Sequence, residues 1–173
     1  GEDKIEGKIK GKVEKLDVWA GFADCVLGFV DASKIKPQKI VVNPNFGLQG
    51  KVMQSIIDRA KLPITLVGLN DTPDGTFPNG RPDPFVPENR PEFVELVKSS
   101  GSDFGIAWDA DGDRVFCCTE KGNFVESYYT NCLLYGMLLD RYGGGKVLYD
   151  PRYTWALIDT AREHNGESLV ERV

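Results

Sequence analysis

Histidine is almost missing from this chain of 173 residues: His164 stands alone. A histidine-rich metal site is thereby excluded. A serine–histidine–aspartate triad would have to rest on that one residue near the C-terminal end, where an exposed position at a helix end is the simpler expectation. Cysteine is scarce as well. None of Cys25, Cys117, Cys118 and Cys132 is spaced as C-x-x-C, and the two neighbours would point to opposite faces of a strand. Neither a disulfide framework nor a zinc site follows, and buried free thiols of a reducing cytoplasm are expected. Lys and Arg form no basic stripe and the net charge is −5, which speaks against a nucleic-acid partner. No apolar run approaches the roughly 20 residues that cross a bilayer, so no membrane partner is expected. No segment has the order of a signal peptide.

What is present is ordinary globular composition, with 41% hydrophobic and 27% charged residues. The length suits one full domain, or one domain and part of another. Residues 1–14, with Ile5, Ile9 and Val13 four apart, are expected to be a linker or the end of an upstream domain. From Asp17, a candidate N-cap, Val18, Phe22, Val26 and Val30 recur at helical spacing, predicting a helix near 17–30. Strand and helix then alternate. Lys39–Val42 is a β-branched run bounded by Asn43-Pro44-Asn45, and Gly47 and Gly50 open a helical stretch to about Ala60. Ile64–Leu69 reads as a strand, Glu92–Ser99 as a helix and Phe104–Trp108 as a buried strand. A hairpin follows, Val115–Thr119 to Phe124-Val125 across Glu120-Lys121-Gly122-Asn123. Strands separated by such helices imply an α/β fold: a parallel sheet with a mixed edge, right-handed crossovers and flanking helices.

The pattern restarts at about residue 128. Tyr128–Tyr142 reads as a helix ended by Gly143-Gly144-Gly145, Lys146–Tyr149 as a strand, Tyr153–His164 as a helix and Ser168–Val170 as the start of a strand. So small a βαβ unit cannot bury both of its faces. The expectation is one full domain over 15–127 and the truncated start of a second, similar α/β domain over 128–173. Within the first of them lies Asp71–Pro91, which holds six of the ten prolines. Regular structure is not expected there. A loop of this length is either a proline-stiffened surface loop or a cover for a cleft or interface.

The strongest local signal is Trp108-Asp109-Ala110-Asp111-Gly112-Asp113-Arg114, directly after a predicted strand. Ligand sites in parallel α/β sheets lie outside the C-terminal ends of strands. Three carboxylates at alternate positions turn inward together if the loop curls, and Gly112 supplies the freedom to curl. Converging carboxylates repel unless a cation neutralises them, and oxygen ligands suit a hard cation, Mg²⁺ first. Arg114 can pair with a carboxylate or take a phosphate in its fork. Two other readings stay open. Acidic residues at loop positions 1, 3 and 5 with Glu120 at position 12 match an EF-hand calcium loop, although Arg114 stands where that loop needs Gly and the flanks read as strands. The segment could also be a solvated acidic turn on a non-catalytic α/β domain.

Asp109-Ala110-Asp111-Gly112-Asp113-Arg114, preceded by Gly105-Ile106-Ala107, resembles the metal-binding loop of the α-D-phosphohexomutases, which include phosphomannomutases and phosphoglucomutases. The resemblance runs on in order. Lys36-Pro37, Ile40-Val41-Val42-Asn43 and Gly47 resemble the first strand and glycine turn of that family's second domain. Thr76-Phe77-Pro78-Asn79-Gly80, Pro82-Asp83-Pro84 and Pro87-Glu88-Asn89 resemble its proline-rich segment, nearest to bacterial phosphomannomutase-like members. Gly122, Glu126 and Tyr128-Tyr129 resemble the lead into its third domain, and Val147 with Tyr149-Asp150 the first strand there.

The resemblance implies a Mg²⁺-dependent, cytoplasmic enzyme that interconverts mannose or glucose 1-phosphate and 6-phosphate. A phosphoserine gives its phosphoryl group to the sugar phosphate, the bisphosphorylated sugar reorients, and a phosphoryl group returns to the serine. Asp109, Asp111 and Asp113 would hold the metal with a phosphoserine oxygen, and Arg114 would lie by the transferred group. The family's nucleophile sits in a Ser-His-Asn segment, and this chain has no Ser-His pair. The first and fourth domains and the rest of the third are missing partners on this view, and the chain by itself is expected to be inactive. Asp31, Lys34 and Asp150-Pro151-Arg152 are weighed as site neighbours and set aside, the first two as turn residues and Arg152 as a helix start.

Overall fold

The computed structural model describes residues 11–150 and 154–170. Ile5 and Ile9 of the expected linker, with Pro151, Arg152 and Tyr153, lie outside the described residues. Among the described residues, five α-helices and seven strands follow one another as α1 Trp19–Leu27, β1 Gln38–Asn43, α2 Gln49–Ala60, β2 Ile64–Gly68, α3 Pro91–Ser99, β3 Phe104–Trp108, β4 Val115–Thr119, β5 Phe124–Val125, α4 Ser127–Tyr142, β6 Gly145–Tyr149, α5 Trp155–Glu163 and β7 Gly166–Val170.

The first five strands form one sheet in the order β2-β1-β3-β4-β5. β1 pairs in parallel with β2 on one side and with β3 on the other, while β3-β4-β5 is an antiparallel meander. The chain leaves β1 through α2 toward one edge and returns from β2 through α3 to the other side of β1. The strand order therefore reverses between β1 and β3, and a crevice opens outside their C-terminal ends. β1 is covered on both faces, as its unbroken Ile40-Val41-Val42 run requires. On one face Val41, Ala107 and Cys118 pack with Phe93 and Val97 of α3. On the other, Val42 and Leu66 share a small cavity with Gly50, Lys51 and Gln54 of α2. Gly105 lets α3 seat closely: a β-carbon there would stand 2.5 Å from Val97 Cγ2 and 2.7 Å from Phe93 Cζ.

α1 is shorter than its apolar spacing predicts. The N-cap is Val18, which makes no side-chain cap bond, rather than the expected Asp17. Asp17, one residue earlier, accepts the Trp19 N–H at 3.0 Å through Oδ1, and the helix ends at Leu27, where Gly28 begins a turn that carries Phe29 and Val30 into solvent. A bidentate pair, Arg59 to Asp24, ties α1 to α2. α2 starts at Gln49, later than its glycines suggest, because Gly47 belongs to the turn before it. Residues 71–90 are irregular except for a single 3₁₀ turn, Pro87–Asn89, and Pro91 opens α3.

β6 and β7 form a second, parallel pair joined by α5, with Leu139 of α4 packed on Val147 and Ala161. Leu133, Met137 and Trp155 stand exposed beside this pair. His164 directly follows α5, half-buried rather than free, with Nδ1 2.7 Å from Asp140 Oδ1. All four cysteines are free, but only Cys118 is buried, contrary to the expectation of buried thiols: Cys117 and Cys132 are half-buried, and Cys25 is exposed on the short α1, of which only Ala23 is buried. Among the described residues, no helix is long and apolar enough to cross a membrane.

Candidate metal centre

The loop between β3 and β4 is tight because its own first residue closes it. Asp109 Oδ1 accepts the Arg114 N–H at 3.1 Å, and the Asp109 carbonyl accepts the Gly112 N–H at 3.1 Å. Gly112 takes a left-handed φ of 77° at the bend, which costs glycine little. The curl brings one carboxylate oxygen from each of Asp109, Asp111 and Asp113 to within 4.8 Å of one another. Asp109 is buried and the other two are exposed, so the cluster opens to solvent on one side.

Carboxylates this close disfavour one another's charge. The Asp113 carboxyl is held above its ordinary value, first by a hydrogen bond shared with Asp109, then by the negative charges of Asp109 and Asp111. Asp109 Oδ2 is buried and accepts no hydrogen bond. Its neighbour is Arg114 Nη2, in ionic contact at 2.5 Å. A buried oxygen of this kind, facing two further carboxylates, fits a hard divalent cation such as Mg²⁺. It does not fit an EF-hand. The flanks are strands, and Glu120 lies past the far end of β4, about 17 Å along an extended strand of five residues.

Two other segments shape this loop. The turn after β1 cradles it from below. Asn43 Oδ1 accepts the Asn45 N–H at 3.0 Å, and Asn45 Nδ2 donates to the Trp108 carbonyl at 2.6 Å. Gln49 Nε2 donates to the Ala110 carbonyl at 3.1 Å. Neither Asn45 nor Gln49 was a sequence candidate; the Asn43-Pro44-Asn45 punctuation after a buried strand was the available signal.

The proline-rich segment supplies the second support. Asp83, 2% exposed, meets Arg114 Nη1 and Arg81 Nη2 through Oδ2, both at 2.9 Å, and accepts the Phe85 N–H through Oδ1 at 3.0 Å. Burial alone would push the Asp83 carboxyl up, but the Arg114 and Phe85 hydrogen bonds and the charges of Arg114 and Arg81 outweigh it and hold it below its usual value. Arg114 is shifted upward in turn, mainly by its bond to Asp83. Arg90 fastens the same segment to the sheet. It donates to the Pro84 and Phe85 carbonyls at 2.8 and 2.9 Å, pairs with Glu126 and stacks 4.0 Å over the Phe124 ring. The segment thus covers the crevice end of the sheet and leaves a cavity of about 510 Å³ of mixed lining, with Asn43, Asn45, Asn70 and Arg81 beside Phe46 and Leu69. Asp31 and Lys34 lie apart from all this, in an exposed turn where Asp31 caps Ser33.

Residues 20–122 match the family model described as phosphoglucomutase/phosphomannomutase, alpha/beta/alpha domain II. The chain is 34% identical over 166 residues to a phosphomannomutase of Escherichia coli K12, a match covering 94% of this chain and 36% of that protein. It is 41% identical over 145 residues to phosphohexose mutases of Xanthomonas campestris, covering 84% of this chain and 32% of the relative. Among solved structures, a phosphoglucomutase/phosphomannomutase family protein from Burkholderia thailandensis superposes with a TM-score of 0.81 at 31% identity, over 92% of this chain and 34% of that one. A structure described as a putative phosphomannomutase from Thermus thermophilus shares the fold, with a TM-score of 0.79 at 20% identity over 94% of this chain and 38% of that one. The chain spans about a third of the length of the relatives it matches. A reversed sheet with an aspartate loop at its switch point, and a family match over most of that sheet, lead to one assignment: the chain belongs to the phosphoglucomutase/phosphomannomutase family, within which residues 20–122 form the alpha/beta/alpha domain II.

Proposed function

We propose that this chain carries the Mg²⁺ centre of a phosphohexomutase that interconverts hexose 1-phosphate and 6-phosphate, with mannose phosphate as the first candidate substrate and glucose phosphate as the second. The observation that carries the reading is the convergence of Asp109, Asp111 and Asp113 beside Arg114, outside the C-terminal end of β3. The names of the relatives supply the substrate class.

In this reading Asp109, Asp111 and Asp113 hold the cation, which supplies charge neutralisation for a phosphoryl group in transfer. Arg114 offers a planar donor fork to phosphoryl oxygens. Asn45 and Gln49 hold the carbonyls of Trp108 and Ala110, so the aspartates keep their spacing. Transfer runs from a phosphoserine to the sugar and back through a bisphosphorylated sugar. The serine comes from a part of the protein outside this chain, which has no Ser-His pair, and the 173 residues alone turn nothing over. Residues 15–127 act as the metal-bearing domain and 128–173 as the start of the next, in a cytoplasmic enzyme.

The test is mutase activity of the full-length protein with Mg²⁺, supplied separately with mannose 1-phosphate and glucose 1-phosphate, for the natural chain and Asp111→Ala. Turnover of either sugar that Asp111→Ala nearly abolishes is the expected result. Turnover that survives the substitution removes Asp111 from the mechanism, and turnover by the 173-residue chain alone contradicts its dependence on an outside serine.

A further inference from the structure

Arg114 is held from two sides, and the two sides are unequal. Nη1 donates to Asp83 Oδ2 at 2.9 Å. That carboxylate is fully built in: Oδ1 takes the Phe85 N–H, Oδ2 also takes Arg81, and Asn89 Nδ2 donates to the Asp83 carbonyl at 3.0 Å. Nη2 lies 2.5 Å from Asp109 Oδ2, a buried oxygen with no hydrogen bond. Nε sits at 3.4 Å from Asp113 Oδ1. The guanidinium therefore has one end on a carboxylate that the proline-rich segment anchors with further hydrogen bonds, and the other in close ionic contact with an oxygen of the acidic cluster that has no hydrogen-bond partner.

We propose that Arg114 is a tethered placeholder for the cation. Its Nη2 neutralises Asp109 while the centre is empty, a cation entering the centre displaces that contact, and Asp83 retains the guanidinium through Nη1 so that it stays beside the site. This rests on the metal reading of Asp109, Asp111 and Asp113. Two positive groups cannot both sit against one carboxylate oxygen without repulsion, so arginine and cation compete for Asp109 Oδ2. A guanidinium carries five donors in a fixed fork and can give up one contact while keeping another, which an ammonium cannot do with the same geometry. Asp83 also shares the guanidinium charge. Without it, Arg114 would settle wholly on Asp109 and Asp113 and compete harder. Asp83 is thus a positioning residue that acts through Arg114.

The experiment measures Mn²⁺ affinity of the full-length protein by electron paramagnetic resonance, Mn²⁺ being a divalent ion that accepts the same oxygen ligands. Far-UV circular dichroism checks that each variant is folded. Arg114→Gln should tighten Mn²⁺ binding about tenfold, within the ordinary range of site coupling. Asp83→Asn should weaken it by about the same factor, and the double variant should match Arg114→Gln alone. Weaker or unchanged binding by Arg114→Gln overturns the proposal. So does a loss from Asp83→Asn that persists on the Arg114→Gln background, because Asp83 would then act only by supporting the fold. Should Asp83→Asn fail to fold, Arg114→Gln decides alone. Absence of Mn²⁺ binding by the natural protein overturns the metal reading and the placeholder with it, whereas binding with the wrong sign of change overturns the placeholder only.

Discussion

Gly47 lies against Ala110 so closely that a β-carbon at position 47 would stand 2.4 Å from the Ala110 carbonyl oxygen. The turn after β1 and the acidic loop after β3 are thereby pressed backbone to backbone. Gln49 Oε1 and the Pro44 carbonyl would crowd the same carbon, at 2.3 and 3.0 Å. Gly47→Ala should push the acidic loop away from the turn, destabilise the protein by about 1–3 kcal/mol and weaken Mn²⁺ binding. Urea unfolding and an Mn²⁺ titration of the same variant check both halves; unaltered metal affinity would separate the loop's position from its ligand spacing.

The seat of α3 on the sheet is similarly strict. Gly105→Ala would drive a methyl group into Phe93 and Val97, both fully buried, and overpacking of this kind costs about 1–3 kcal/mol. Phe93→Ala should cost about 3–5 kcal/mol through the cavity left behind. Equilibrium unfolding in urea distinguishes them, with the glycine variant the milder of the two.

Asp83 should leave a mark on acid stability. Its carboxyl is held below its usual value in the folded chain, so its contribution is fully present above the unfolded value of about 3.9 and is lost as pH falls below that toward the folded value. Arg114 and Arg81 are both well exposed, and solvent screens their charges. A contribution of about 2 kcal/mol, typical of hydrogen bonds to a charged group, is the expected size. Melting temperatures from pH 7 to pH 2 should show Asp83→Asn less stable at neutral pH and the gap closing below pH 4. A gap that stays constant to pH 2 would contradict the charge-based role.

Thiol chemistry reports the packing. Burial pushes the Cys117 and Cys118 thiols up, and Cys118 sits in the α3-side core, while Cys25 is exposed on α1. A disulfide reagent at pH 8 should react with Cys25 in a fast phase that Cys25→Ser removes. Cys118 should react only on unfolding in denaturant.

Added Mg²⁺ should raise the melting temperature of the full-length protein, since a ligand that binds only the folded state stabilises it by about 2.7 kcal/mol at a hundredfold excess over Kd. Asp111→Ala should lose most of that shift while melting normally without metal, because Asp111 is exposed and supports no core. Thermal scans with Mg²⁺ and with EDTA decide the matter.

The main sheet strands were legible in the sequence to within a residue or so because each is a local matter: β-branched runs bounded by turn residues. Lys39–Val42 was expected and Gln38–Asn43 is found; Phe104–Trp108 and Val115–Thr119 coincide with β3 and β4. The aspartate triad was legible for the same reason, since alternate carboxylates around Gly112 in a short loop must come near one another. What the sequence by itself determined was therefore the order of elements, the acidic loop and the family. The tertiary structure decided the loop's supports. Asp83 meets Arg114 across 31 positions, Asn45 meets Trp108 across 63 and Gln49 meets Ala110 across 61. No periodicity marks such pairs. They arise when the reversal of strand order between β1 and β3 brings the ends of separate strands to one crevice, and when a proline-stiffened segment, with little entropy left to lose, folds across it. The end of α1 at Leu27 and the exposure of Cys25 were hidden likewise, because apolar spacing predicts a helical face but not what, if anything, will cover it.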